Sequence, residues 1–198
     1  RGIYNPARRI VEFYVQHVAG GVLSTRPGQG ALPIETEIEP LRAAIGQVWQ
    51  WSNWQGKKSV MVRHGAALGD SFLKVVDDTA RQKAFVQVLW PGIVSAAEHD
   101  DYGNVVAYTI EYTAKDDRGS YRYKETCDKA EFATFRDGQP FAYGDAPATW
   151  ANPYGFVPMV HAMHLDLGGE WGAVPHHATM DKVHELNDQA SLLNDQVR

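Results

Sequence analysis

Apolar residues near the start of the chain recur at the spacing of a helix. Asn5 is a good helix cap, and Pro6 suits the first helical position, where its missing N–H would have no partner in any case. The pair Gly20-Gly21 ends the pattern. Val11 and Val15 widen the apolar side, so we expect this helix to need two partners to cover it.

A second helical region covers residues 40–69. The apolar stripe of its first half consists of Leu41, Ala44, Ile45, Val48 and Trp49. Ser52 or Asn53 can cap the second half. One side of that second half consists of Lys57, Met61, His64 and Leu68. The region is therefore either one kinked helix or a helical hairpin with a tight joint, and the polar residues 22–39 before it are a connecting loop.

From Ser71 onward the period of the pattern changes to two, which is typical of strands. The predicted strands cover residues 72–76, 85–90, 93–98, 105–113, 120–127, 132–136 and 141–143. In the fourth of them the alternating residues Val106, Tyr108, Ile110 and Tyr112 predict one buried face. Residues 144–155 are predicted to be a loop. Helices followed by a run of antiparallel strands and a last helix predict an α+β fold rather than alternating strands and helices.

The end of the chain combines a predicted strand at 156–163, a glycine-broken loop at 167–172 and a helix at about 174–198. The apolar stripe of this helix consists of Val183, Leu186, Ala190, Leu193 and Val197. Nothing in the sequence caps the end of the helix, and the chain begins at Arg1 rather than Met, so we expect a piece of a longer protein. Residues 1–198 are predicted to be one fragment: helical at 1–70, β-rich at 71–163 and helical again at the end.

Composition narrows the function without identifying it. The 198 residues carry a net charge of −5, which argues against a dedicated nucleic-acid binder but not against a protein past which DNA slides. The single cysteine, Cys127, excludes an internal disulfide framework and fits a reducing compartment. No apolar run approaches the roughly 18 residues of a membrane span. Gly28-Gln29-Gly30 does not lead into a phosphate-binding loop. The six Trp and nine Tyr are typical of a core or of a permanent interface.

Histidines are the first candidates for chemistry. His161 and His164 are three apart on a predicted strand, so they should lie on opposite faces and should not share a metal ion. The predicted last helix offers a second group of metal-ligating types on one face. Its members are His177, Asp181 and His184, with His176 nearby. Because the rest of this helix is patterned for packing, a solvated or interface histidine face is the favoured interpretation.

The remaining reactive residue types lack partners in the sequence. Cys127 has no histidine next to it and is expected to be a buried, inert thiol. The acid pairs Asp100-Asp101 and Asp116-Asp117 lie at predicted turns and are expected to be solvated. The basic pairs Arg8-Arg9 and Lys57-Lys58 fit solvated helix faces, or contacts with phosphate or an acidic partner. We therefore assign no catalytic, cofactor-binding or metal residue and expect no enzyme activity.

Five stretches, in order along the chain, carry a family resemblance. They are YNPARRIVEFY at 4–14, IGQVWQWSNW at 45–54, GDSFLKV at 69–75, FVPMVHA at 156–162, and DKVHELN at 181–187 after Gly172. Together they resemble the portal proteins of tailed bacteriophages, in the branch typified by actinobacteriophages. None of the five is a catalytic signature, since the family has none. By position, the chain resembles the outer wing region of a portal protein, up to the point where the chain turns toward the stem.

The resemblance implies a homo-oligomeric ring, typically a dodecamer, at one vertex of the capsid. It implies a conduit for genome packaging and ejection, and the attachment point between head and tail. The implied partners are the large terminase subunit, the major capsid and scaffold proteins, a head–tail adaptor, and double-stranded DNA passing through the channel. The implied location is the virion, after assembly in the host cytoplasm, and no cofactor is implied.

Two alternatives remain open on the residues alone. One is a small α+β metal-dependent hydrolase built on His177, Asp181 and His184. The other is a different virion module, such as an adaptor or tail protein. A ring would favour the portal or another ring-forming virion protein, whereas stoichiometric metal in the purified protein would favour the hydrolase.

Overall fold

A computed structural model describes residues 6–20, 36–142 and 147–196, with side chains described as far as residue 193. The fold is α+β, with four helices and antiparallel sheets in the described part. The chain divides into two compact units. The helical unit comprises Arg1–Ser71 and Ala162–Arg198, and the sheet unit comprises Phe72–His161.

The helical unit has a small apolar core between its first and third helices. Its helices are α1 (Ala7–Val18), α2 (Glu39–Trp51), α3 (Trp54–Leu68) and α4 (Met180–Gln196), with a 3₁₀ turn at His177–Thr179. The buried core residues are Val11, Val15, Ala19, Val62 and Ala66, with Tyr14 and Met61 packed against them. Arg63 on α3 also donates two hydrogen bonds of 3.2 Å to the carboxylate of Glu12 on α1. Apolar packing and this ion pair thus join the two helices.

The region 40–69 is a helical hairpin, and the alternative of one kinked helix is wrong. Asn53 at the joint has a left-handed backbone with φ of 49°, which turns the chain between α2 and α3. The expected side-chain cap is absent from this joint, because Asn53 makes no capping bond and Ser52 donates back to the carbonyl of Val48. Asn5, Gly21 and most of the connector, at 22–35, lie outside the described residues.

The buried side of α3 differs from the predicted one. Its buried residues are Trp54, Lys58, Val62, Gly65 and Ala66. The predicted side that runs from Lys57 to Leu68 is rotated away from this stripe, and Leu68 is 46% exposed. The reason is Lys58, which is fully buried and shifts the buried face by about one position from the one that apolar residues alone predict. The interpretation of Lys58 as a solvated residue is therefore wrong, whereas Lys57 is exposed.

The strands form two antiparallel sheets. They are β1 (Asp70–Asp78), β2 (Lys83–Leu89), β3 (Val94–His99), β4 (Val105–Asp116), β5 (Gly119–Asp128), β6 (Glu131–Arg136), β7 (Gln139–Pro140), β8 (Thr149–Ala151) and β9 (Met159–Met163). The first sheet has the order β2-β1-β9. The second has the order β3-β4-β5-β6-β7, and β8 also pairs with β6.

Two short segments correct the predicted strands. The strand expected at 141–143 is instead β7, directly after the turn at Asp137 and Gly138, and residue 143 lies outside the described part. The predicted loop 144–155 contains β8, which pairs with β6. Trp150 of β8 stacks on Phe132 of β6, with ring centroids 5.3 Å apart. This contact fixes a segment too short to show a period of its own.

A bulge interrupts the predicted alternation of β4. Tyr108 and Ile110 are buried as expected, but Tyr112 is 37% exposed. Val106 is 41% exposed, and Val105 is buried in its place. On β3, Glu98 pairs with Ala107 and the next residue, His99, pairs with Val105, so Val106 is an extra residue without a partner position. An extra residue moves every earlier side chain of the strand to the opposite face.

The core of the sheet unit is one continuous apolar cluster. Its buried members are Phe72, Leu89, Val94, Val105, Tyr108, Ile110, Cys127, Phe132, Val157 and Met159. They come from β1 to β6 and from the segment that leads into β9, so both sheets supply side chains to the cluster. The cluster encloses the polar groups described next.

Candidate functional site

The most deeply placed charged pair of the sheet unit joins Lys74 of β1 to Glu125 of β5. The ammonium of Lys74 contacts Oε1 of Glu125, and both side chains are only 13% exposed. The hydroxyl of Tyr108 donates to the same oxygen at 2.7 Å, and the hydroxyl of Tyr123 donates to Oε2 at 3.2 Å. Three donors therefore stabilise one carboxylate in a mostly apolar environment.

The strand pattern explains why these groups meet. In the register of β4 with β5, Tyr108 is opposite Cys127 and Ile110 is opposite Glu125. Residues two apart on a strand share a face, so Tyr123, Glu125 and Cys127 all lie on the buried face of β5. A carboxylate on the apolar side of an alternating strand was the sequence signal for this cluster. Its cation could not be found in this way, because Lys74 is 51 residues earlier in the chain.

Two members of this part of the core, Tyr108 and Cys127, have raised pKa values. Burial and the neighbouring charge of Glu125 raise the pKa of Tyr108 well above its usual range, so its hydroxyl stays protonated and donates. Burial raises the pKa of the Cys127 thiol to about 12, as expected for an inert thiol. Glu125 makes one ion pair and accepts two hydrogen bonds. The arrangement is that of a structural ion pair.

A cleft of about 400 Å³ opens beside this ion pair. Lys74 and Glu125 form part of its wall, together with the aromatic rings of Phe132, Trp150 and Tyr154. The hydroxyl of Tyr154 donates to Asp77 at 3.0 Å. Burial and this carboxylate raise the pKa of Tyr154, so the second phenol is also held neutral. The wall of the cleft thus combines aromatic rings with the Lys74–Glu125 ion pair, Asp77 and the hydroxyl of Tyr154.

A larger cleft, of about 560 Å³, lies along the segment that leads into β9. Its wall includes Phe156, Val160 and His161, and also Asp100 of the β3–β4 turn. Nδ1 of His161 lies 3.0 Å from Nε2 of His99 at the end of β3. Sequence spacing could not indicate this pair, because its members are 62 residues apart and belong to different sheets.

The histidines that the sequence singled out are not brought together. His161 belongs to β9, whereas His164 follows the end of that strand and packs edge-on against the ring of Tyr14, at 4.6 Å between centroids. Burial lowers the pKa of His164, so the folded helical unit favours its neutral form. The two residues therefore have unrelated environments.

The candidate metal group of the last helix does not have the expected geometry. His177 lies in the 3₁₀ turn before α4, so the prediction that it shares a helix face with Asp181 and His184 is wrong. The irregular turn at His176 to Thr179 changes the helical spacing on which that prediction relied. Within the described residues, no group of three or more His, Cys, Asp or Glu side chains converges as a metal site.

Among the paired acids, Asp100 and Asp116 stabilise their own turns. Asp100 accepts bonds from the backbone N–H groups of Tyr102 and Asn104, and the Asn104 amide lowers its pKa. Asp116 pairs with Arg136 at 2.7 Å, and this bond lowers the pKa of its carboxyl. Arg8 and Arg9 are exposed on α1. The glycines 28 and 30 lie outside the described residues.

A scan against models of known protein families finds no match, and a search of curated proteins finds no significant one. In the part of the chain that the structure describes, none of the helices has the length and apolar character needed to cross a membrane.

Proposed function

We propose that this chain is a structural part of a tailed-bacteriophage portal ring, from the wing region of the subunit. In that role it would contribute to the conduit for genome packaging and ejection at one capsid vertex. The support has two parts: the five ordered sequence stretches that resemble the family, and the apolar surface of the helical unit. The surface is the observation that carries the proposal.

Large apolar side chains are exposed on all four helices of the helical unit or directly beside them. They are Phe13, Val18, Ile38, Leu41, Trp51, Leu68, Met180, Leu186, Leu192 and Leu193, each at least 38% exposed. Exposed leucines scattered singly are ordinary, whereas contiguous apolar surface is typical of sites that meet another protein. Subunits of permanent oligomers have such surfaces, because neighbouring copies cover them.

The last helix is the clearest case. Its half-buried residues are Val183, Asn187 and Ser191, which are four apart and form one narrow stripe. The predicted apolar stripe includes only the first of them, and its leucines Leu186 and Leu193 are 51% and 63% exposed. The leucines of the predicted stripe are therefore exposed within the described chain. An exposed apolar stripe of this kind is suited to a contact with a neighbouring subunit.

The net charge is compatible with a conduit. Tight contacts with phosphates release counterions and hold DNA in place, whereas a channel must let it slide. At −5, the chain as a whole does not favour tight phosphate binding. In a ring, charge of this sign would act on DNA from every subunit.

The mass of the particle that the purified protein forms in solution tests the proposal. Mass photometry and negative-stain microscopy of the purified protein should show a closed ring of about twelve copies, as the family resemblance implies. A monomer that persists at micromolar concentration would contradict it. Binding of the ring to the large terminase subunit from the same genome separates a portal from another ring-forming adaptor.

A further inference from the structure

The pair His99 and His161 joins two strands that belong to different sheets of the sheet unit. The facing ring nitrogens are 3.0 Å apart, which is the distance of a hydrogen bond. The ring of His161 also stacks on the buried ring of Phe72, with centroids 4.3 Å apart and planes 14° from parallel. Since stacking restricts the orientation of His161, its Nδ1 has a fixed direction toward His99.

Two facing imidazole nitrogens can bond only if one of them carries a proton and the other does not. The neutral pair meets this condition, and so does the pair after one proton is added, because an imidazolium donates to a neutral ring. A second proton leaves an N–H on both facing nitrogens and places two like charges 5.1 Å apart, measured between ring centroids. The bond is then lost and the rings repel each other.

We infer that His99 and His161 form a proton-sensitive clasp, which holds β9 beside the end of β3 and releases it in acid. The histidine side chain is suited to this role because it titrates between pH 5 and 8. Since His161 also lines the cleft of about 560 Å³, release of the clasp would move part of the wall of that cleft. The inference concerns the sheet unit alone and does not depend on the proposed ring.

The surrounding charges define which protonation step matters. Asp100 follows His99 and interacts with it electrostatically, so its carboxylate favours the first proton. Lys129, which lines the same cleft, opposes any further positive charge. The charge of Lys74 of β1 is compensated by its ion pair with Glu125, and the side chain of Phe72 is uncharged. Among the described residues, Asp100 is thus the one carboxylate in the wall of this cleft, and Lys129 provides no compensation for positive charge there.

Two further charged groups lie near the pair in the sequence. Glu98 of β3 precedes His99 and lines a smaller cleft with Ala96 and Ala107, away from the cleft that contains His161. Asp101 follows Asp100 in the exposed β3–β4 turn. Neither provides a carboxylate in the cleft wall that contains His161, so neither would compensate the second proton there.

The direction of the pH effect follows from proton counting. When β9 separates from β3, both rings are free to accept protons, so the opened form binds one proton more than the closed form. Opening therefore becomes more favourable as pH falls, by about tenfold for each pH unit below the titration of ordinary histidines. The stabilisation by the clasp is present at neutral pH and is lost in acid.

Because β9 is the edge strand of its sheet, we expect its release from β3 to let it fray from β1, and hydrogen exchange measures that fraying. Amide protection of residues 159–161 should fall by about tenfold for each pH unit between pH 6 and 5, after correction for the intrinsic exchange rate. His161→Gln and His99→Gln should remove this extra dependence, because a glutamine amide can accept a bond from either form of the remaining ring. The matched control is His184→Gln, at an exposed histidine of α4, which should leave the dependence unchanged.

The tautomers of the two rings give a second test, which needs only the unaltered protein. Nitrogen NMR at pH 7.5 should show both rings neutral, with the proton on one of the two facing nitrogens only. Rings of His99 and His161 that titrate independently of each other would overturn the inference. It would also be overturned if the protection of residues 159–161 had the same acid dependence in the His161→Gln variant as in the unaltered protein.

Discussion

Lys74 and Glu125 show how one residue pair can determine the stability of the sheet unit. Removing one member of a buried ion pair leaves the other charge without compensation, which is more costly than the net contribution of the pair. Lys74→Met should therefore lower the free energy of unfolding of the sheet unit by about 3–5 kcal/mol. Urea denaturation followed by circular dichroism measures the change.

The matched variant combines Lys74→Met with Glu125→Gln. The amide oxygen of glutamine can still accept from the hydroxyl of Tyr108, and its NH2 group can donate to the hydroxyl oxygen of Tyr123, while the uncompensated charge is gone. We expect the double variant to recover at least half of the stability lost in the single one. A double variant that is less stable than Lys74→Met would show that the charge of Glu125 is not the cause.

At the residue scale, the sequence predicted whether a side chain is buried better than it predicted which side chains that residue contacts. The buried, inert character of Cys127 follows from the alternation of β5, and its raised pKa agrees with that prediction. Lys58 could not be predicted, because lysine is rarely buried and nothing in its neighbours indicates a buried side. The pair of His99 and His161 depends on tertiary contacts between two sheets, which no local spacing encodes.

At the element scale, the glycine loop after β9 is attached to the start of β1 by a close backbone approach. The N–H of Gly172 donates to Asp70 at 2.7 Å. A Cβ at position 172 would lie only 2.3 Å from the carbonyl oxygen of Gly69, whose φ of 92° requires glycine. The sequence predicted a glycine-broken loop at 167–172, and the structure shows that the close contact with Gly69 requires its last glycine.

Gly172→Ala should therefore destabilise the helical unit by about 1–3 kcal/mol, because backbone atoms must move to admit the methyl group. The control is Gly169→Ala in the same loop, where a Cβ has its nearest neighbour at 3.6 Å and the backbone φ is not positive. That variant should be neutral or more stable by up to about 1 kcal/mol. Thermal unfolding compares the two, and equal effects would contradict the close-approach argument.

The elements themselves were predictable where their pattern is long. Helices α1 and α4 and strands β4 and β5 follow clear periods of 3.6 and two. The exceptions have tertiary causes: β8 depends on the stacking of Trp150 on Phe132, and the change of face at Val105 depends on a bulge opposite β3. A bulge adds no residue type that a sequence pattern can reveal. The alternation of β4 therefore predicted the buried face only for residues after the bulge, such as Tyr108 and Ile110.

At the scale of the whole molecule, the order of elements predicted the α+β class, but the pattern could not identify which apolar surfaces stay exposed. An apolar stripe on a helix indicates a buried face without indicating what buries it. Within the described chain, Val183, Asn187 and Ser191 of α4 are half-buried, and the leucines beside them remain exposed. This difference between pattern and burial is what directs the proposal toward an assembly.

Leu186→Asp tests that difference on the complete protein. Because Leu186 is 51% exposed in the isolated chain, we expect the free energy of unfolding of an unassembled subunit to change by at most about 0.5 kcal/mol. In the assembled ring, loss of a buried leucine should weaken each subunit contact by about 1.5–3 kcal/mol, which is roughly tenfold or more in the association constant. Analytical ultracentrifugation should show rings shifted to smaller species.

The matched control is Gln189→Asp, which adds the same charge at an exposed polar position of α4 without removing an apolar group. We expect its rings to remain intact at the same concentration, because the leucine contact is preserved. If Leu186→Asp unfolds the isolated subunit, the stripe is buried within the chain. If both variants assemble like the unaltered protein, α4 does not contribute to the subunit contact. The proposed function then loses the support that the exposed leucines of α4 give it.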